Sequence, residues 1–219
     1  ANMLAQEADV VLAVGTRLQD FTTGSWSVFG NEQMRLIAIN AARYDAHKHQ
    51  ALSVVGAALA GIEELGQALG GWKSPDPWIS QSRSLYADWN TTVEQHSGPT
   101  TDVPPSYAHV IGAVNRVCDE TDLALTAAGG FPGELCKNWK TKSSGTFDCE
   151  FGFSCMGYEI AGGWGAKMAD PDRDVIVFVG DGSYLMMNSD IYSSVLTGHK
   201  LIVVVCDNGG FAVINRLQN

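Results

Sequence analysis

VIVFVGDGS, residues 175–183, and LIVVVCDNGG, residues 201–210, are continuous apolar runs that each end in small and polar residues. An unbroken run of four to eight aliphatic and β-branched residues suits a strand buried on both faces, as in a parallel sheet. Between the runs, Leu185 to Thr197 reads as a helix, so the three segments make one βαβ unit. In an open sheet of this kind, ligands sit outside the carboxyl ends of the strands. Both strands therefore deliver their terminal residues, Asp181-Gly182-Ser183 and Asn208-Gly209-Gly210, to one place. Asp181 supplies a charged oxygen, Asn208 a neutral one, and the Gly210 carbonyl a third. Hard oxygens, few carboxylates and room for phosphate oxygens describe Mg²⁺. The glycines let the backbone approach a diphosphate closely. Ser183 opens the next helix, whose N-terminus favours an anion. GDG alone is a common turn, and DNGG alone is a common strand exit. The two together, one βα unit apart, are a far more specific signal.

The same alternation extends upstream. Ser106 to Cys118 reads as a helix with Ser106 as its N-cap, Leu123 to Gly130 as a strand, and Met156 to Ala169 as a helix of small residues after an irregular stretch. Nearer the start, Asp9 to Gly15 and Arg35 to Asn40 read as buried strands, followed by an Ala-rich helix from Val54 to Leu69. A polar stretch with Pro and Trp separates the two regions and contains a predicted helix, Ile79 to His96. The expected architecture is α/β in three parts. Residues 1–70 form part of a Rossmann-like domain, 71–105 a linker with a helix, and 106–219 a doubly wound parallel-sheet domain. A helix is already under way at Ala1, and the chain stops at Asn219 inside an apolar-periodic stretch, so truncation at both ends is expected.

Composition narrows the function. The 219 residues carry a net charge of −10, against the clustered Lys and Arg that nucleic-acid binding requires. No run reaches the roughly eighteen apolar residues of a membrane span. Five scattered cysteines without a CxxC pair read as reduced thiols, the cytoplasmic pattern. The five histidines show no HxxxH or HExxH spacing and read as surface or core residues. A nicotinamide-binding Rossmann domain would need GxGxxG between strand and helix, and no such string is present.

GDGS followed at this interval by Asn resembles the signature of the thiamine-diphosphate enzymes related to acetohydroxyacid synthase, pyruvate decarboxylase and benzoylformate decarboxylase. The resemblance implies thiamine diphosphate and Mg²⁺ as cofactors. Asp181, Asn208 and the Gly210 carbonyl would hold the metal, and Gly182 and Ser183 would contact the diphosphate. It makes Met156 the apolar prop that holds the thiamine bent, and Ala128, Gly129 and Gly130 a further wall of the site. The strings GTRLQDFTTGSW, AAGGFPGEL, GFSCMGYEIAGG and VGDGSYLMMNSD are similar to one branch, the trihydroxycyclohexane-dione hydrolases of myo-inositol breakdown. That branch implies hydrolytic C–C cleavage of a cyclic 1,2-diketone to 5-deoxy-glucuronate, with no flavin and no ligand assigned to the first domain. The alternative is another thiamine-diphosphate lyase or synthase, such as an acetohydroxyacid synthase. Gly209 departs from the bulkier residue expected after the Asn. The family's activating Glu belongs to a further N-terminal domain of a neighbouring subunit. No residue here matches it, so no catalytic residue is assigned in this chain. A homodimer or homotetramer with the active site between subunits is implied, and the chain by itself is expected to be inactive.

Overall fold

Apolar runs and their spacing set two separate sheets in the computed structural model, which describes residues 1–150 and 152–218. The chain divides into two units, Ala1–Trp89 and Asn90–Asn219. The division falls inside a 21-residue helix in the stretch read as a linker.

The first unit contains α1 (Asn2–Glu7), β1 (Val10–Val14), α2 (Asp20–Thr23), β2 (Arg35–Asn40), α3 (Arg43–Ala46), β3 (Leu52–Val55), α4 (Ala58–Leu69) and the start of α5 (Asp76–His96). Its strands are parallel, in the order β1-β2-β3. Ala13, Leu36 and Ala38 form the core of one face, with Trp26 and Met34 packed against them. On α4, Gly61 lies so close to Ile39 that a Cβ there would stand 2.8 Å from its Cγ2. The Ala-rich period predicts a helix from Val54. The structure instead pairs Leu52–Val55 with Ile37–Asn40 and starts the helix at Ala58. Cross-strand pairing of β-branched residues overrides a helical period over so short a stretch.

The second unit begins within α5 and continues through α6 (Tyr107–Val117), β4 (Leu123–Thr126), α7 (Gly130–Asn138), β5 (Phe147–Cys149), α8 (Tyr158–Ala169), β6 (Val175–Gly180), α9 (Asp181–Met187), α10 (Ser189–Leu196), β7 (Ile202–Cys206) and α11 (Ala212–Gln218). Ser106 caps α6 by accepting the His109 N–H, while the His109 ring accepts the Ser106 N–H. The four strands are parallel, in the order β5-β4-β6-β7. Alternate residues of β6 feed two cores. Ile176 and Phe178 pack with Ile111, Phe131 and Leu135 of α6 and α7. Val175, Val177 and Val179 pack with Ile160 of α8 and Ile191 of α10. Helices on both faces make this sheet doubly wound, as expected.

Three local readings change. The stretch between β4 and α8, irregular by its sequence pattern, contains α7 and β5. The helix read over Leu185–Thr197 is two helices meeting at Asn188, the first beginning at Asp181. The strand read to Gly130 ends at Thr126, which frees Ala127 to Gly129 as a loop.

Candidate functional site

From β4 the chain goes to β5 on one side and then crosses to β6 on the other. The carboxyl ends of β4 and β6 therefore flank a topological switch point, the crevice where open α/β sheets take ligands. The Thr126 hydroxyl ties the two strands just below it by donating to the Phe178 carbonyl at 3.0 Å.

Four groups of site residues surround this edge. Ala128 and Gly129 leave β4, and Gly129 has φ +93° with ψ −160°, a conformation that essentially only glycine adopts. Gly130 then starts α7. Asp181 and Gly182 follow β6, and Asn208 to Gly210 follow β7. A Cβ on Gly182 would stand 2.7 Å from the Phe211 ring, so the turn after β6 and the segment after β7 are in close contact. Met156 is half-buried in the turn that enters α8.

Asp181 and Asn208 meet directly. The Asn208 N–H lies 3.5 Å from Asp181 Oδ1, and Asn208 Nδ2 donates to the Tyr107 hydroxyl at 2.6 Å. With Nδ2 held by Tyr107, the carboxamide oxygen is the atom left for a cation. Gly209 and Gly210 have φ of +79° and +127°, and the Gly209 N–H donates to Asp207 Oδ1 at 3.0 Å. The departure at Gly209 thus falls where the loop turns through left-handed backbone, which a bulkier residue would strain. Among the described residues no three His, Cys, Asp or Glu side chains gather as a metal site. A cation here would rely on one carboxylate, an amide oxygen and a carbonyl beside oxygens brought by a ligand. That donor set fits Mg²⁺ with a diphosphate.

Ser183 is 2% exposed, and its hydroxyl donates to Glu159 Oε2 at 2.7 Å. Its side chain is therefore engaged within the protein, while its position in the first turn of α9 agrees with the sequence reading. Glu159 and Tyr107 are the two residues that sequence reasoning missed. The available signal was a lone carboxylate inside the otherwise apolar and small-residue run YEIAGG.

The end of β5 completes the edge. Glu150 accepts the N–H groups of Phe153 and Cys155 at 2.8 and 2.7 Å. These bonds, that from Cys155 foremost, hold its carboxyl below the ordinary range and tether Phe153 and Cys155 just ahead of Met156. The Tyr158 hydroxyl donates to Asp148 at 2.9 Å. Burial, then this bond to a carboxylate, pushes the phenol up to about 12. Cys206, the last residue of β7, is raised to about 11 by burial, so its thiol stays protonated at neutral pH.

Comparison with known proteins agrees with this geometry. The family model described as "Thiamine pyrophosphate enzyme, C-terminal TPP binding domain" matches residues 127–219. The model described as "Thiamine pyrophosphate enzyme, central domain" matches residues 1–65. Over its whole length the chain is 36% identical to proteins named 3D-(3,5/4)-trihydroxycyclohexane-1,2-dione hydrolase from Geobacillus thermodenitrificans (strain NG80-2) and Bacillus cereus (strain AH820). It spans 37% and 38% of the length of those two relatives. Two domain models of one family, matched in the family's own order on the two units of this fold, establish that the chain belongs to the thiamine pyrophosphate enzymes.

Proposed function

We propose that the protein carrying this chain is a thiamine-diphosphate- and Mg²⁺-dependent hydrolase that cleaves a C–C bond of trihydroxycyclohexane-1,2-dione, giving 5-deoxy-glucuronate. The observation that carries the cofactor half of this reading is the meeting of Asp181 and Asn208 at adjacent strand ends beside the switch point. The substrate half rests on the relatives' printed name and the 36% identity.

Thiamine diphosphate, when bound, would supply a nucleophilic carbon and an electron sink for C–C cleavage. The residues of this chain bind and orient. Asp181, Asn208 and the Gly210 carbonyl hold the metal, and Gly182 and Ser183 bring first-turn backbone of α9 to the diphosphate. Ala128, Gly129 and Gly130 form the β4 wall, where the positive φ of Gly129 lets the chain pass into α7 at Gly130. Met156 would give the cofactor apolar support from the turn before α8. The proton-transfer partner of the pyrimidine end comes from outside this chain, which motivates a homodimer or homotetramer with the site between subunits. In keeping with that arrangement, α9 and α11 expose Leu185, Met186, Ile214 and Leu217. No helix among the described residues is long and apolar enough to cross a membrane.

The test is a steady-state assay of the full-length protein with thiamine diphosphate and Mg²⁺, offered the cyclic diketone and pyruvate in parallel. Turnover of the diketone, with acetolactate formation at least about tenfold lower in kcat/KM, is expected. Acetolactate as the preferred product would move the protein to the synthase branch. Loss of diketone turnover on chelation, restored by Mg²⁺, is expected from the metal assignment.

A further inference from the structure

Glu159 is the second residue of α8 and is fully buried. A carboxylate withdrawn from water is among the most costly groups an interior can hold unless its oxygens are well hydrogen-bonded. Its neighbours Tyr158 and Ile160 pack into the apolar core against β6. An apolar residue at 159 would therefore serve the packing of α8 as well or better.

The carboxylate is instead matched to three donors. Oε1 accepts the Ala128 N–H at 3.2 Å. Oε2 accepts the Gly157 N–H at 2.9 Å and the Ser183 hydroxyl at 2.7 Å. Ser183 Oγ in turn accepts the Gly157 N–H at 2.7 Å, which closes a ring of three residues. The donors belong to the end of β4, the turn entering α8 and the first turn of α9. All three segments lie at the carboxyl edge of the sheet, beyond the reach of the strand ladders that order β4 and β6. A carboxylate only accepts hydrogen bonds, so it aims each donor at one point and fixes the backbone that carries it.

We infer that Glu159 is a positioning residue of the cofactor site, a buried brace that fixes the β4 exit, the Met156–Gly157 turn and the Gly182–Ser183 turn in the one geometry that receives thiamine diphosphate. The inference rests on the proposed cofactor site. It adds that affinity and alignment depend on a group that does not itself touch the cofactor. Misplacement by about 1 Å can cost about 10²-fold in rate, so a brace of this kind is a functional requirement.

The experiment uses the full-length protein as wild type, Glu159→Gln, Ser183→Ala and the double variant. Calorimetry gives the dissociation constant for thiamine diphosphate at saturating Mg²⁺, and melting gives the thermal midpoint without cofactor. Gln keeps the shape but sets its NH2 donor against either the Ala128 N–H or the Gly157 N–H and Ser183 hydroxyl, so at least one N–H loses its acceptor. Glu159→Gln is expected to weaken cofactor binding by about 10–100-fold, the range for partners that orient a ligating shell. At saturating cofactor it should lower kcat with the substrate KM unchanged. Ser183→Ala should weaken binding less, and the double variant should bind no worse than Glu159→Gln, because both act along one path. Wild-type cofactor affinity in Glu159→Gln, with only the midpoint lowered, would reduce Glu159 to a structural residue. Losses that add in the double variant would overturn the shared path. If Glu159→Gln fails to fold, Ser183→Ala alone decides, and unchanged cofactor affinity there overturns the brace. A wild-type protein that binds no thiamine diphosphate would instead overturn the cofactor reading beneath it.

Discussion

Asp181→Ala is expected to weaken Mg²⁺-dependent thiamine-diphosphate binding by more than about 10²-fold, since even outer partners of a metal site cost about 10–100-fold. Asp181 brings the only formal negative charge in the proposed ligand set. Its removal leaves Mg²⁺ with an amide oxygen, a carbonyl and the diphosphate's own oxygens. The fold should survive the change. Asp181 is the first residue of α9, and losing an acidic group at a helix N-terminus costs about 0.3–1 kcal/mol. The loss is therefore expected in the binding isotherm and not in the melting curve. Asn208→Ala should fall between wild type and Asp181→Ala, because it removes a neutral oxygen and also the bond to Tyr107. Calorimetric titration with wild-type affinity for both variants would refute the metal assignment.

The second large effect is on the fold itself. Gly157 has φ +92° and ψ −18°, and a Cβ there would stand 2.3 Å from Cγ and 3.2 Å from Cβ of Met187. Gly157→Ala therefore meets two separate penalties. Left-handed backbone costs a non-glycine residue about 1–3 kcal/mol, and overpacking costs about 1–3 kcal/mol more. Against a total stability of about 5–15 kcal/mol, the thermal midpoint should drop on the order of 10 °C. Gly165→Ala is the matched control on the same helix. Gly165 is exposed, and a Cβ there would meet nothing within 4 Å. Replacing a mid-helix glycine in open space should be neutral or stabilising by about 0.5–1 kcal/mol. Equal midpoints for the two variants in differential scanning calorimetry would count against this account of the turn.

The site could be read from sequence wherever it depends on strand ends. Arg35–Asn40 forms a strand with the expected bounds, and the strand expected over Val175–Gly182 forms from Val175 and ends two residues earlier, at Gly180, because Asp181 already starts α9. Asp181 follows directly from the end of β6, and Asn208 lies two residues past the end of β7. What sequence reading missed depends on partners distant in the chain. β5 is three residues long and exists through its pairing with Ala124–Thr126. α7 begins at a glycine whose preceding residue also has to be glycine, so its start carries no polar cap to read. The role of Glu159 is set by Ala128 and Ser183, which lie 31 and 24 residues away. No periodicity or spacing encodes such a convergence. Tyr107 meets Asn208 across 101 residues for the same reason.

The turn at Asn208-Gly209 also determines how the protein ages. An Asn followed by Gly is prone to deamidation, in which the next backbone nitrogen attacks the side-chain carbonyl, expels ammonia and leaves a cyclic imide that hydrolyses to an acid. Here the attacking nitrogen, Gly209 N, is held by Asp207, and the departing amide nitrogen, Asn208 Nδ2, is held by Tyr107. While both bonds persist, the reaction is slowed at both of its partners. Once the loop loosens, Asn208 becomes a carboxylate beside Asp181 and can no longer donate to Tyr107. A proposed metal ligand would thereby change its charge without any change in the gene. Stored protein should therefore lose cofactor affinity in step with conversion of Asn208 to acid. The conversion should run slower in protein kept with thiamine diphosphate and Mg²⁺, and peptide mass mapping of residues 207–210 would follow it. Conversion at the same rate with and without cofactor would show that the loop does not guard its own amide.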